Sequence, residues 1–152
     1  MNKTLVFDMD GTIADLYGVE NWLVAIREEK TFPYEQAKPM YNVRILNTVL
    51  TILKTEGWRI VVTTWLPKDG KEEYSSKVML AKIEWLEKYN FPYDEIHITK
   101  YGQKKSDCTE SLGGFQILID DNENVRKTWN LGDTFDAKNN DVIDFLLDLL
   151  ED

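Results

Sequence analysis

Cysteine and histidine are almost missing from this chain, since Cys108 and His97 are the only copies in 152 residues. A lone cysteine cannot form an intrachain disulfide, and these two side chains cannot supply the ligands of a Cys/His zinc site. The scarcity of cysteine fits a reducing compartment, so we expect a cytoplasmic protein. A metal bound by this chain alone would therefore be held mainly by oxygen ligands.

Long apolar runs and an excess of basic charge are also lacking. No segment reaches the roughly 18 apolar residues of a membrane span, and no basic stretch precedes an apolar run near the start. We therefore expect neither a membrane segment nor a signal peptide. The chain has 18 lysines and arginines against 27 aspartates and glutamates, a net charge of −9. We expect no long nucleic acid as a partner, whereas a small anionic substrate is compatible if a cation offsets the acidic field.

The chain does have short apolar runs that alternate with amphipathic segments. Strands that are apolar throughout are typical of a parallel sheet covered by helices on both faces. Predicted strands occupy 4–7, 58–63, 95–99, 115–120 and 133–136, and predicted helices occupy 19–30, 42–56, 72–89, 122–129 and 141–150. In the helix at 72–89 we expect Met79, Ile83 and Leu86 to share the buried face. The pattern predicts the α/β class, with a Rossmann-like three-layer α/β/α fold and a single domain at 1–152.

The segment between the first two predicted strands is longer than a simple crossover requires. Besides the helix at 42–56 it contains a helix-like stretch at 19–30 and a stretch with Pro33 and Pro39. Because of the prolines we expect residues 31–41 to be irregular. We interpret residues 15–41 as a small helical cap inserted after the first strand.

Polar residues follow the apolar strands directly. The residues concerned are Asp8, Asp10, Thr63, Thr64, Lys104, Lys105, Asp120 and Asp121. Because the carboxyl ends of parallel strands meet at one edge of the sheet, we expect these side chains to lie close together. The carboxylates repel one another and offer only oxygen ligands, which favours Mg²⁺.

A carboxylate cluster with a metal, a lysine and two hydroxyls is typical of a phosphate site. The chemistry that suits it is attack of an aspartate on phosphorus, which gives an aspartyl-phosphate intermediate. Each part alone has an ordinary explanation, since "DG" is a common turn and "DD" before asparagine is a common helix cap. Their joint placement after apolar strands favours the functional interpretation.

The motifs resemble those of the haloacid dehalogenase-like hydrolases. "FDMDGT" resembles the first motif, Thr63 after "RIVV" the second, the lysine of "QKKSD" the third and "LIDD" the fourth. The resemblance implies a magnesium-dependent phosphomonoester hydrolase. Asp8 would be the nucleophile and a metal ligand. Asp10 would be the general acid and then the base, with its main-chain carbonyl toward the metal.

The resemblance also implies roles for the remaining motif residues. Thr63 would bind the phosphoryl oxygens. Lys105 would neutralise the nucleophile, with Lys104 as the open alternative. Asp120 would be a direct metal ligand and Asp121 a close or water-mediated one, although the two could be exchanged.

The proposed chemistry sets opposite demands on the first two carboxyls. Asp8 attacks only when it is ionised, so we expect its pKa to be lowered. Asp10 must hold a proton to assist the leaving alcohol, so we expect its pKa to be raised.

The short insertion and the "LIDD" ending resemble the small 5'(3')-deoxyribonucleotidase-like phosphatases. This implies a small phosphorylated metabolite as substrate, with a (deoxy)nucleotide as one candidate. Thr64, Trp65, Lys104 and Tyr17 are candidate substrate contacts, because aromatic faces can stack on a nucleobase. We expect Trp22 to pack in the core.

Two alternative functions are a non-hydrolytic metal-binding module of the receiver type and a phosphotransferase to an acceptor other than water. We expect a monomer or homodimer.

Overall fold

Short strands alternate with helices along residues 2–151, the part of the chain that this computed structural model describes. In chain order the strands are β1 (Lys3–Phe7), β2 (Ala14–Asp15), β3 (Lys38–Pro39), β4 (Trp58–Trp65), β5 (Glu95–Thr99), β6 (Phe115–Asp120) and β7 (Thr134–Asp136). The α-helices are α1 (Trp22–Arg27), α2 (Phe32–Gln36), α3 (Val43–Thr55), α4 (Glu72–Lys88), α5 (Lys105–Thr109), α6 (Glu123–Thr128) and α7 (Val142–Glu151). Over these residues, no helix is both long enough and apolar enough to cross a membrane.

Five of the strands form one parallel sheet in the order β5-β4-β1-β6-β7. The chain begins in the middle at β1, moves outward through β4 to β5, and then crosses to β6 and β7 on the other side. This is the strand order of doubly wound sheets, in which ligands bind where the order reverses. Here the reversal lies between β1 and β6, so Asp8 and Asp120 stand at the expected ligand crevice.

The central strands bury side chains on both faces of the sheet, because successive residues of a strand point to opposite sides. Leu5 and Phe7 of β1 belong to the larger core, and Val6 between them belongs to a second core. The helices cover these cores with Leu50 of α3, Trp85 of α4 and Leu146 of α7 on one face, and with Val125 of α6 on the other. The predicted α/β/α fold and its five strands are confirmed.

Helix α4 buries a different face from the one predicted. Met79 is exposed and Ile83 is half-buried, whereas the buried stripe runs through Val78, Lys82 and Leu86. These three residues are spaced four apart, which places them on one side of a helix. The prediction was right for Leu86 and wrong for Met79 and Ile83, because a lysine occupies the middle of the buried stripe.

The insertion is more regular than the sequence predicts. The strands β2 and β3 pair antiparallel at its base, and α2 lies within the stretch expected to be irregular at 31–41. Pro33 lies in the first turn of α2, where its missing N–H is not required. The helix predicted at 19–30 is reduced to α1, because Asn21 and Glu29 adopt left-handed φ angles of 62° and 59° on either side.

Two hydrogen bonds fasten the insertion to α4. Trp85 Nε1 donates to the carbonyl of Ala37 at 2.8 Å, and the Tyr74 hydroxyl donates to the carbonyl of Lys30 at 2.8 Å. Tyr34 of α2 packs in the same small apolar cluster as Tyr74. The insertion therefore lies beside α4, next to the carboxyl end of β4, and its role as a cap stays a prediction.

Asp94 joins β5 to β4 at the opposite end of the sheet from the carboxylates. Its Oδ2 accepts from the Ile60 N–H at 2.8 Å, and its Oδ1 lies 2.9 Å from Lys54 Nζ. Burial alone would raise the pKa of Asp94, but the Ile60 N–H and Lys54 outweigh it and hold the pKa below 3.8. We expect Asp94→Ala to lower the free energy of unfolding in urea by about 1–2 kcal/mol at neutral pH.

The pH dependence of this loss gives the check. Because the folded-state pKa of Asp94 is depressed, its contribution is complete at neutral pH and is lost as the pH falls through that pKa. Wild type and Asp94→Ala should therefore converge in stability below about pH 4. Asp133→Ala, at an exposed position, is the control. A gap that stays constant down to low pH would contradict the assignment.

Candidate active site

A tight turn after β1 brings the first carboxylates to the crevice. Gly11 has a φ of +82°, and its N–H donates to the carbonyl of Ala14 at 2.9 Å, which closes the turn. A Cβ at this position would overlap the Asp121 carboxylate and would lie 2.7 Å from the Tyr17 ring. Glycine is therefore required here both by the backbone angle and by the close approach of Asp121.

Three carboxylates meet at the reversal of strand order. Asp8, Asp120 and Asp121 each offer an oxygen, and these oxygens lie within 4.8 Å of one another. The register of β1 and β6 pairs Phe7 with Ile119, so the next residues, Asp8 and Asp120, leave the sheet side by side. Asp8 is 8% exposed and Asp120 1% exposed. A compact set of oxygen donors of this kind fits a hard divalent cation.

Lys105 neutralises two of these carboxylates. Its Nζ lies 2.7 Å from Asp8 Oδ1 and 2.8 Å from Asp120 Oδ2, and the side chain is 4% exposed. Lys104 is exposed and does not line the cavity at this site. The geometry thus places Lys105, and not Lys104, beside the carboxylates, and the structure gives no contact for the substrate role predicted for Lys104.

The pKa values of the three carboxyls are driven apart. Burial alone would raise the pKa of Asp8, but the charge of Lys105 and hydrogen bonds outweigh it, so this pKa lies below 3.8. Burial and the neighbouring charge of Asp8 raise the pKa of Asp120 to about 6 and that of Asp121 to about 8. Asp8 therefore has the lowest pKa of the three and is ionised at neutral pH, as the sequence predicts for a nucleophile.

Removal of metal should make the stability fall as the pH rises. Because the folded-state pKa values of Asp120 and Asp121 are raised, the folded protein binds more protons than the unfolded chain between about pH 4 and pH 8. The free energy of unfolding, measured in urea with EDTA, should decrease across this range. Asp121→Asn should flatten the slope, whereas Asp148→Asn on the exposed side of α7 should leave it unchanged. An equal slope in Asp121→Asn would overturn the prediction.

Asp10 takes a different partner from the other carboxyls. Its Oδ2 accepts from Lys82 Nζ at 2.9 Å. The Asp10 side chain is 17% exposed, whereas that of Lys82 is 0% exposed. Burial raises the pKa of Asp10 and Lys82 opposes this, with a net shift above 3.8. The direction is the one expected for a general acid. The contact of its main-chain carbonyl with a metal stays a prediction.

The two threonines at the end of β4 occupy different environments. Thr64 lines the cavity, and its Oγ1 accepts from Lys82 Nζ at 2.6 Å. Thr63 is 1% exposed and follows Val62, the partner of Phe7, so it comes directly beside Asp8 in the register. Its Oγ1 has no hydrogen-bond partner among residues 2–151, and its predicted contact with a phosphoryl oxygen stays a prediction.

Sequence reasoning missed two residues of the site, Thr12 and Lys82. Thr12 Oγ1 lies 3.1 Å from Asp8 Oδ2 and 3.2 Å from Asp121 Oδ1, and it accepts from the Asp121 N–H at 3.2 Å. Thr12 stands within the quoted motif "FDMDGT", so its position gave a signal. For Lys82 the signal was a charge at an apolar position of a helix, where lysine is rarely buried without a partner.

A cavity of about 900 Å³ extends from the carboxylates toward the insertion. Aromatic pairs stand on its walls: the rings of Tyr17 and Trp22 are 4.9 Å apart, and those of Trp65 and Tyr101 are 5.1 Å apart. Trp22 is half-buried and lines the cavity, so the prediction that it packs in the core was wrong. The candidate contacts Tyr17 and Trp65 do line the cavity.

Comparison with solved structures finds D,D-heptose 1,7-bisphosphate phosphatases. The D,D-heptose 1,7-bisphosphate phosphatase from Burkholderia thailandensis superposes with a TM-score of 0.54 at 14% identity, over 99% of this chain and 100% of that chain. The enzyme of that name from B. bronchiseptica, complexed with magnesium and phosphate, gives a TM-score of 0.49 at 13% identity, over 97% and 99% of the two chains. No family model matches the chain, and neither does any curated protein. The first likeness shows the fold alone, and this agrees with the three-layer α/β/α fold predicted from the sequence.

Proposed function

We propose that this chain is a magnesium-dependent phosphomonoester hydrolase that forms an aspartyl-phosphate on Asp8. The observation that carries the proposal is the ionised Asp8 held by Lys105, with Asp10 close by, on the wall of a cavity of about 900 Å³. An ionised carboxylate beside a fixed cation is prepared both to attack phosphorus and to receive an anionic group. The likeness to a phosphatase fold supports the general class.

The metal-binding part of the proposal concerns Asp8, Asp120 and Asp121. Their oxygens are close enough to share one ion, and carboxylate oxygens are the ligands that Mg²⁺ prefers. A bound Mg²⁺ would offset the negative charge of the carboxylates and of a phosphoryl group. The direct ligand among Asp120 and Asp121 stays open, with Asp120 the more buried and Asp121 the closer to Thr12.

In the proposed reaction a carboxylate oxygen of Asp8 attacks phosphorus, and the bond from phosphorus to the alcohol oxygen breaks. Asp10 gives its proton to that oxygen, so the alcohol leaves neutral. Asp10 then takes a proton from water, which attacks the same phosphorus and breaks its bond to Asp8. Inorganic phosphate is released, and both aspartates return to their starting state. Lys105 and the Thr63 hydroxyl would hold the transferring oxygens.

For the substrate we propose a small phosphorylated metabolite, with a (deoxy)nucleotide as the first candidate. The support is the pair of aromatic walls, Tyr17 with Trp22 and Trp65 with Tyr101, which offer faces on which a base could stack. Thr64 lines the same cavity and is a polar candidate contact.

The test is release of inorganic phosphate from p-nitrophenyl phosphate and from a panel of nucleoside 5'- and 3'-monophosphates and sugar phosphates. We expect release with Mg²⁺ and none with EDTA, and a higher kcat/KM for nucleotides than for sugar phosphates. Equal values would remove the nucleotide assignment. No release, together with stable phosphorylation by acetyl phosphate, would favour a receiver-type module. A phosphorylated product formed from an added alcohol would favour a phosphotransferase.

A further inference from the structure

Lys82 is a buried cation that the proposed reaction does not use. It is 0% exposed and stands in the apolar stripe of α4. Burial of an ammonium group is unfavourable unless its charge and its N–H groups find partners. Lys82 Nζ has three acceptors: Asp10 Oδ2 at 2.9 Å, Thr64 Oγ1 at 2.6 Å and the Trp65 carbonyl at 2.8 Å. An ammonium has three N–H donors, so this set uses all of them.

These partners come from separate parts of the fold. Asp10 belongs to the turn after β1, and Thr64 and Trp65 form the end of β4. The ring of Tyr34, in α2 of the insertion, lies with its centroid 5.4 Å from Lys82 Nζ. One charge thus connects α4, the Asp10 turn, the end of β4 and the insertion. Lys82 itself does not line the cavity, so it can influence the reaction only through the groups it holds.

We propose that Lys82 is a positioning residue, which holds Asp10 Oδ2 so that the other carboxyl oxygen is directed at the leaving group. In the structure of residues 2–151, Lys82 donates a hydrogen bond to Oδ2 of the Asp10 carboxyl. Asp10 also lines the cavity. The two buried lysines, Lys105 and Lys82, have different roles. Lys105 holds the carboxylates that attack and bind metal, and Lys82 holds the one that transfers the proton. The inference rests on the proposed function, in which Asp10 protonates the leaving alcohol.

The experiment compares Lys82→Met with wild type on two esters of the same phosphoryl group. Methionine keeps the length of the apolar stem and removes the three donors. Glycerol 2-phosphate has a poor leaving group that needs the proton of Asp10, whereas p-nitrophenyl phosphate has a good one that needs little help. We expect kcat to fall about 100-fold on the first and less than about 5-fold on the second, within the range that general acid catalysis supplies. KM should change little on either ester.

A double-mutant cycle separates positioning from a general loss of structure. On the Asp10→Asn background, Lys82→Met should cause no further change in the ratio of the two kcat values, because the group it positions is already inactive. Lys77→Met is the matched control on the same helix, since Lys77 pairs at the surface with Glu73 at 3.7 Å. This control should leave both kcat values at the level of wild type.

A crystal structure of Lys82→Met gives a readout that does not depend on turnover. We expect the Asp10 carboxyl to leave its place beside Thr64, while Asp8 and Lys105 keep their contact. If the wild type hydrolyses neither ester, the proposed function fails, and the position of Asp10 in this structure still decides whether Lys82 holds it. Equal losses on the two esters, or an unmoved Asp10 carboxyl in the variant, would overturn the positioning role.

Discussion

Asp8→Asn should abolish phosphate release, with kcat/KM lower by about 10⁴-fold or more in the presence of Mg²⁺. Asparagine keeps the size of the side chain but has no carboxylate to attack phosphorus. The change also removes a charge that Lys105 Nζ contacts at 2.7 Å and one of the three oxygen donors of the metal cluster. Loss of the nucleophile alone removes the covalent route, because no other ionised carboxylate occupies its position at the end of β1.

The measurement is steady-state hydrolysis of p-nitrophenyl phosphate, combined with trapping of the phosphorylated enzyme by rapid acid quench. Wild type should show phosphate bound to the protein, and Asp8→Asn should show none. Asp148→Asn, on the exposed side of α7, should behave as wild type in both assays. Activity in Asp8→Asn within tenfold of wild type would exclude the aspartyl-phosphate mechanism.

The position of the carboxylates was predictable because it follows from topology alone. The apolar runs that end at Phe7 and Ile119, each followed by an aspartate, identify two strands, and a parallel sheet brings their ends together. The order of the strands then places Asp8 and Asp120 at the reversal point. Which of the adjacent lysines enters the site was not predictable from the sequence. The direction of each side chain depends on how the chain turns at the start of α5, and this turn points Lys105 inward and leaves Lys104 exposed.

The parts that the sequence did not reveal depend on single residues rather than on periodic patterns. The helix α1 is short because two residues adopt left-handed backbone angles, and the spacing of apolar residues does not indicate such angles. The buried face of α4 was misjudged because Lys82 interrupts it with a charge. That charge is satisfied by Asp10, which lies 72 residues earlier in the chain, and a pairing at such a distance is not visible before folding.

Lys105→Met should destabilise the protein by about 3–5 kcal/mol, because it leaves two buried carboxylates without their cation. Asp8 and Asp120 are 8% and 1% exposed and both contact Lys105 Nζ. For a chain of this length the loss corresponds to a fall in Tm of about 10 °C. Lys127→Met is the control, because Lys127 pairs with Glu123 where both side chains are mostly exposed, and it should cause no measurable change.

Mg²⁺ and acid should each reverse part of the loss in Lys105→Met, for the same electrostatic reason. An ion bound by Asp8 and Asp120 replaces the missing positive charge, so saturating Mg²⁺ should raise the Tm of the variant more than that of wild type. Protonation removes the repulsion instead. Because Lys105 lowers the pKa of Asp8 and of Asp120, these carboxyls take up protons at higher pH in the variant, so the gap between the two proteins should narrow as the pH falls. Tm measured by circular dichroism, with EDTA or with Mg²⁺ from pH 5 to 8, tests both expectations. A gap that neither Mg²⁺ nor acid changes would mean that Lys105 stabilises the fold through its packing, and that its charge does not offset the carboxylates.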